Sequence, residues 1–371
     1  MASQQIYEDG LQRGWKITDG ARLQQDLTDE ADVIVVGSGA GGGTTAEILA
    51  RAGLRGILVE EGRLYYQKDF RMDEQWSYSR LYQEGMSRVT SDAGIAILQG
   101  RCVGGSTTVN WTSSFRTPDA TLAFWQARFG LESASPDAMA PWFANRQERL
   151  NIQPWTVDPN ANNSVLRDGC ERLGWEWDII PRNVSGCWNL GYCGFGCPTN
   201  AKLGSLVTTI PGALDRGGSL YHSLRVDRLT IEGDRVTGVS ASALDGEALK
   251  PTGIQVSLRA RHVVLAASAL GTPALLLRSG APDPHGRLGK RTFLHPVNAT
   301  VAEMPDRTDP YYGAPQSIYS DQFVWRDGVD GEVGFKLEVP PLHPAMSAAI
   351  IPLHGEPMRQ DMASLPWMNS V

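Results

Sequence analysis

The 371-residue sequence has no uninterrupted apolar run long enough to cross a bilayer. Its most apolar segment, VVLAASALGTPALLL (Val263 to Leu277), contains Gly271 and Pro273 and falls short of the roughly 18 apolar residues that mark a spanning helix. The N-terminal MASQQIYEDGLQRGWK lacks a basic stretch leading into an apolar one, so no secretory signal is read there. Positive charge is in deficit: 34 Lys and Arg stand against 41 Asp and Glu, a net charge of -7. With no basic stripe, nucleic acid is not an expected partner. Cysteine is scarce and odd in number, at Cys102, Cys170, Cys187, Cys193 and Cys197, which argues against the disulfide framework of a small secreted domain. These absences lead to an expectation of a cytoplasmic protein without a transmembrane segment, with peripheral membrane contact left open.

The remaining composition, 42% apolar and 20% charged, is that of a globular chain with room for more than one lobe. Residues 1 to about 30 read as a polar, helical lead-in. The first strong element is ADVIVVGSGAGGGTTAEILARAG, in which the apolar run Val33 to Val36 is short enough for a fully buried strand. Gly37-Ser38-Gly39-Ala40-Gly41-Gly42 follows it and opens a helical segment, satisfying G-x-G-x-x-G in the required strand-to-helix context. In that geometry Gly37 permits the tight turn, Gly39 lets main chain approach a pyrophosphate, and Gly42 lets helix and strand pack closely. Glu60, 23 residues after Gly37 at the end of ILVE, stands where a carboxylate accepts from ribose hydroxyls; Glu61 is the alternative. The fingerprint alone leaves NAD and FAD open.

The stretch GRCVGGSTTVN, residues 100 to 110, separates them. An NAD domain has no need of a second glycine loop some 60 residues on, whereas FAD, whose ring lies far from the ribose-binding acid, needs another backbone surface. Gly104 and Gly105 let main chain come close without a Cβ. Ser106, Thr107 and Thr108 can cap a following helix or bond phosphate.

This loop resembles the first signature of the glucose-methanol-choline (GMC) family of FAD-dependent oxidoreductases. ALGTPALLLRSG (Ala269 to Gly280) resembles the second signature, LGKRTFLHP (Leu288 to Pro296) the stretch after it, and LRVDRLTIEGDRVTGV an adenine-contacting hairpin whose turn is Glu232-Gly233-Asp234. The resemblance implies an α/β (α+β overall) fold: a Rossmann-like FAD-binding domain with an interleaved, incomplete sheet-bearing substrate domain. Boundaries are expected at 31–300 for the FAD domain, with a mostly helical insertion at about 116–180, and at 301–371 for the start of the substrate domain. It further implies that Gly37, Gly39, Gly42 and Glu60 hold the ADP half and Val226 the adenine. Arg101, Gly105, Ser106 and Asn110 would then lie on the pyrophosphate and ring side, Asn110 having the alternative of an Asx turn on its own backbone.

The implied activity is oxidation of an alcohol to an aldehyde or ketone by hydride transfer to flavin N5, with oxygen, a quinone or a protein as electron acceptor. Two other readings are a non-redox FAD-containing lyase of the same fold and an inactive FAD-binding fragment. The loop GCWNLGYCGFGCPTNAK spaces Cys187, Cys193 and Cys197 as C-x5-C-x3-C. Zinc would want a fourth ligand in closer pairs, and an iron-sulfur cluster a fourth cysteine, so no metal is assigned and a compact loop of buried thiols or one disulfide is expected. Within the family such a loop is most similar to the subgroup acting on long-chain or apolar alcohols. The catalytic histidine of the family is expected beyond Val371, so no catalytic residue is assigned and the chain is read as lacking a C-terminal part.

Overall fold

The computed structural model describes residues 5–371; residues 1–4 of the expected lead-in lie outside the described residues. The chain divides into two compact units, one of residues 5–110, 194–200 and 204–296, the other of residues 111–193, 201–203 and 297–371.

The first unit is built on a seven-stranded sheet ordered Lys16–Asp19, Ser219–His222, Gly56–Val59, Leu27–Val36, Pro251–Leu265, Arg235–Leu244, Leu224–Glu232. The first five are parallel neighbours, and the last two form an antiparallel hairpin added to Pro251–Leu265. A stretch of parallel strand covered on both faces is apolar without alternation. The run Val33 to Val36 shows it: Val33 and Val35 pack with Leu58 and Leu220 on one face, Ile34 and Val36 with Ile57 and Val59 on the other. The helix Ala40–Arg51 follows this strand and rests on Thr209–Leu214. A Cβ on Gly43 would come within 2.7 Å of Thr209 Oγ1, so the glycine run sets the separation of the two helices. The turn of the hairpin is Gly233-Asp234, with Glu232 opposite Arg235 and Gly233 at a φ of +66°. The lead-in is no detached arm. Its helix Ile6–Gln12 carries Tyr7, whose hydroxyl donates to the Leu206 carbonyl at 2.8 Å, and its strand Lys16–Asp19 forms a sheet edge.

The second unit has three small antiparallel sheets: Phe335–Glu338, Ile318–Phe323 and Asp178–Ile179; Ile152–Pro154 with Pro181–Asn183; and Val301–Glu303 with Met368–Ser370. Its long helices start where side chains can cap them. The Ser135 hydroxyl accepts from Ala138 N at 3.3 Å ahead of Pro136–Arg149, and Asn160 Oδ1 accepts from Asn163 N at 2.8 Å ahead of Ala161–Leu173. Residues 116–180, expected as an insertion in the cofactor domain, pack instead with 297–371. The physical reason is pairing across a long sequence gap: Ile179 lies opposite Ile318, and Leu166 and Cys170 share a core with Ile318 and Val339.

Candidate cofactor site

At the carboxyl ends of the parallel strands the first unit encloses a cavity of about 1060 Å³, lined by Gly37 to Gly41, Glu60 and Glu61, Gly100 and Arg101, Gly105 to Thr107, Leu224 to Asp227, and residues of the helix Ser268–Arg278. This is where an open α/β sheet receives its ligand.

Two main-chain loops shape the floor. Gly37, at a φ of +97°, turns the chain from strand to helix where any side chain would overlap the Ala266 carbonyl. Gly39 caps the helix Ala40–Arg51, whose first N–H groups are free to meet an anion. Gly42 does not line the cavity; a Cβ there would overlap the Gly37 carbonyl oxygen, so its absence permits the strand–helix contact. From the other side comes Gly105, at a φ of +52°, where a Cβ would stand 2.9 Å from Gly39 Cα. Where the loops meet, two bare backbones face the cavity with no side chain between them.

Glu60 is buried and lines the cavity, and its carboxylate is already engaged. It accepts from Ser38 N at 3.0 Å and Ser38 Oγ at 2.5 Å through one oxygen, and from Gly62 N at 2.9 Å through the other. Burial pushes its pKa above the ordinary glutamate value, opposed by those three hydrogen bonds. A carboxylate has about four lone-pair sites, so one remains for a further donor. Glu61 also lines the cavity, but its carboxylate is engaged by a cation. It accepts from Arg101 Nε at 3.1 Å and Nη2 at 2.9 Å, while Arg101 Nη2 also donates to the Ala248 carbonyl.

Three sequence expectations look different in this geometry. Arg101 lines the cavity, but its hydrogen bonds tie the strand end at Glu61 to the loop at Ala248, and none is directed at the glycine loops. The hydroxyls of residues 106–108 cap no long helix: Ser106–Val109 is four residues, with Gly105 at its N-cap and no capping side chain. They knit the loop together instead. Ser106 Oγ accepts from Gly100 N at 3.0 Å, Thr107 Oγ1 donates to the Gly104 carbonyl at 2.7 Å, and Thr108 Oγ1 donates to the Val103 carbonyl at 2.9 Å. Asn110 ends this short helix in extended conformation, with its N–H on the Ser106 carbonyl at 2.9 Å, and is not among the lining residues. Val226 lines the cavity from the hairpin strand, as does Arg225, which pairs with Asp227 at 3.1 Å. Sequence reasoning passed over Arg225, Asp227 and Arg278. Their shared signal, charges on a half-buried strand and a facing helix, becomes readable only once the two elements are known to be neighbours.

Among the described residues no disulfide joins any cysteines, no group of three or more His, Cys, Asp or Glu is placed to hold a metal ion, and no helix is long and apolar enough to cross a membrane.

Comparison with known proteins shows the family. The family model described as GMC oxidoreductase matches residues 78–297. An uncharacterized GMC-type oxidoreductase of Mycobacterium tuberculosis is 34% identical over 350 residues, covering 91% of this chain and 53% of the relative. The long-chain-alcohol oxidase FAO4B of Arabidopsis thaliana is 32% identical over 345 residues, covering 89% of this chain and 45% of the relative. The chain thus spans about half the length of the curated relatives it matches. Among solved structures, pyridoxine 4-oxidase from Mesorbium loti superposes with a TM-score of 0.58 at 17% identity, covering 83% of this chain and 66% of that one, a likeness of fold. The chain belongs to the GMC oxidoreductase family, and FAD is its cofactor.

Proposed function

We propose that this chain holds FAD for the oxidation of an apolar or long-chain alcohol to an aldehyde or ketone. The observation that carries the reading is the cavity in which two glycine loops and Glu60 converge. Its volume suits a ligand longer than a mononucleotide, and the 2.9 Å margin at Gly105 leaves room for main chain alone beside the Gly39 loop.

In this reading Gly37, Gly39 and the N-terminus of Ala40–Arg51 take the pyrophosphate, and Glu60 accepts from the adenosine ribose. Val226 offers main chain to the adenine. Gly105 and Ser106 approach from the ring side, with Asn110 beyond them, and Gly42 keeps strand and helix in contact below. Arg101 acts on this site through Glu61, fixing the strand end that carries Glu60. Bound FAD supplies the two-electron acceptor for the carbinol hydrogen. None of the six histidines lines the cavity, so no proton acceptor is assigned among the described residues. The long-chain-alcohol oxidases among the relatives support the substrate class. The second electron acceptor, whether oxygen, a quinone or a protein, is read from no residue.

Purified protein mixed anaerobically with 1-dodecanol should lose its oxidised-flavin absorbance. Protein that releases FAD on denaturation yet keeps its colour with every alcohol tried would limit the chain to cofactor binding or a non-redox role. Colourless protein that takes up no added FAD would overturn the whole reading.

A further inference from the structure

A buried cation in the second unit has no carboxylate beside it. Arg182, in the strand Pro181–Asn183, is 1% exposed. Its Nη1 donates to the carbonyls of Pro315 and Gln316, and its Nη2 to that of Trp111 at 2.9 Å. The guanidinium carbon sits over the Trp155 ring, 5.2 Å from its centroid. A buried guanidinium ordinarily meets a carboxylate or phosphate, and among the described residues Arg182 has no such partner. Burial draws its pKa below the usual arginine value, and the ionisable neighbours that oppose this are the sulfurs of Cys193 and Cys187.

Arg182 Nη2 reaches Cys193 Sγ at 3.8 Å. On the same edge of the guanidinium fork, Nε is buried with no acceptor. Lys202, also buried, donates from Nζ to the Cys193 carbonyl at 2.7 Å, so two cations hold one residue by its side chain and its main chain. Cys193 is partly exposed, whereas Cys102 and Cys170 are buried.

We propose that Cys193 is a modification site, a thiol that hydrogen peroxide oxidises to a sulfenic acid whose oxygen is received by Arg182 Nε, which now lacks an acceptor. The sulfur attacks one peroxide oxygen. The S–O bond forms as the O–O bond breaks, the thiol proton leaves with the departing hydroxide as water, and sulfur loses the two electrons that peroxide gains. The oxygen left on sulfur accepts from Nε, and when it gives up its own proton it supplies the negative charge that a buried guanidinium otherwise lacks here. Fork geometry is essential to this role, because Nε and Nη2 must address sulfur and oxygen together.

Cys197 is the internal control. It lies four residues on with similar exposure, and its sulfur meets the Thr199 hydroxyl at 3.4 Å instead of a cation. The purified chain, treated with hydrogen peroxide and trapped with dimedone, should show the adduct on Cys193 forming at least tenfold faster than on Cys197 by peptide mass spectrometry. Arg182→Lys, which keeps charge but loses the fork, should bring Cys193 down to the Cys197 rate and leave Cys197 unchanged. Equal or slower labelling of Cys193 in the unmodified sequence overturns the proposal, whether or not the variant folds. A Cys193 advantage that persists in an Arg182→Lys protein with unaltered thermal unfolding overturns the part assigned to Arg182.

Discussion

The two glycine loops beneath the cavity reach similar ends by different means. Residues 37–42 are fixed by crowding: side chains at Gly37 and Gly42 would overlap main-chain oxygens, which have nowhere to retreat. Residues 100–110 are crowded as well, since a Cβ on Gly100 would fall 2.6 Å from the Gly105 carbonyl, but they also rely on hydroxyls. Ser106, Thr107 and Thr108 each bind main chain within the loop, Thr107 Oγ1 also accepts from Ser205 N at 2.9 Å, and Ser38 Oγ accepts from Gly104 N at 3.0 Å. A loop held by excluded volume tolerates almost no change. One held by several hydrogen bonds of about 1 kcal/mol each can lose one and keep its path.

The largest effect is expected at Gly42. In an ordinary helix Gly→Ala stabilises by up to about 1 kcal/mol, but Gly42→Ala should destabilise by about 3 kcal/mol or more, because the clash is with backbone. Thermal unfolding checks the sign, and a raised Tm would break the contrast between the loops. Next is Gly105→Ala. A Cβ 2.9 Å from Gly39 Cα on a residue with φ of +52° and ψ of -143° should part the two loops. FAD affinity, read by quenching of flavin fluorescence, should fall by about 1–3 kcal/mol, roughly 5- to 150-fold, and the strained backbone should lower stability as well.

A smaller effect is expected from pH at Glu60. Burial raises its pKa in the folded state, so the folded chain binds the proton more tightly than the unfolded one. The stability of the FAD-free protein is therefore greatest below the ordinary glutamate pKa and declines as pH rises through the raised value. Ribose hydroxyls favour the carboxylate, so FAD affinity should rise over the same interval. Denaturant melts and FAD titrations across the acidic range check both directions, and an affinity that fell with pH would remove Glu60 from the ribose. The smallest effect belongs to Ser106→Ala, which strips one acceptor from the Gly100 N–H. A loss of about 0.5–1.5 kcal/mol in stability is expected, and anything near the Gly42 effect would show that the second loop is as unforgiving as the first.

Much of the first unit was legible because its signals are local. The apolar run Val33 to Val36, the glycines after it and the Gly233 hairpin each lie within a few residues of the structure they specify. The placement of Glu60 is legible for the same reason, since strand length fixes where it emerges. What escaped reading depends on distant partners. Arg101 serves Glu61 and Ala248, 40 residues before it and 147 after, and no local pattern says that its charge is spent there. The affiliation of residues 116–180 rests on the pairing of Asp178–Ile179 with Ile318–Phe323 and on the core that Leu166 and Cys170 share with Ile318 and Val339. Nothing in the sequence sets Arg182 apart, and only the fold reveals that it is buried without a counter-ion among the described residues.

The sheet order of the first unit also has a consequence in time. Leu27–Val36 has Gly56–Val59 on one side, but its other neighbour, Pro251–Leu265, leaves the ribosome more than 200 residues later, as does Ser219–His222 with respect to Lys16–Asp19. At synthesis rates of about 5–20 residues per second, the apolar run Val33 to Val36 waits on the order of tens of seconds for its second flank to be covered. The nascent chain must therefore carry an open, unpaired strand edge until the later strands of the sheet have been made.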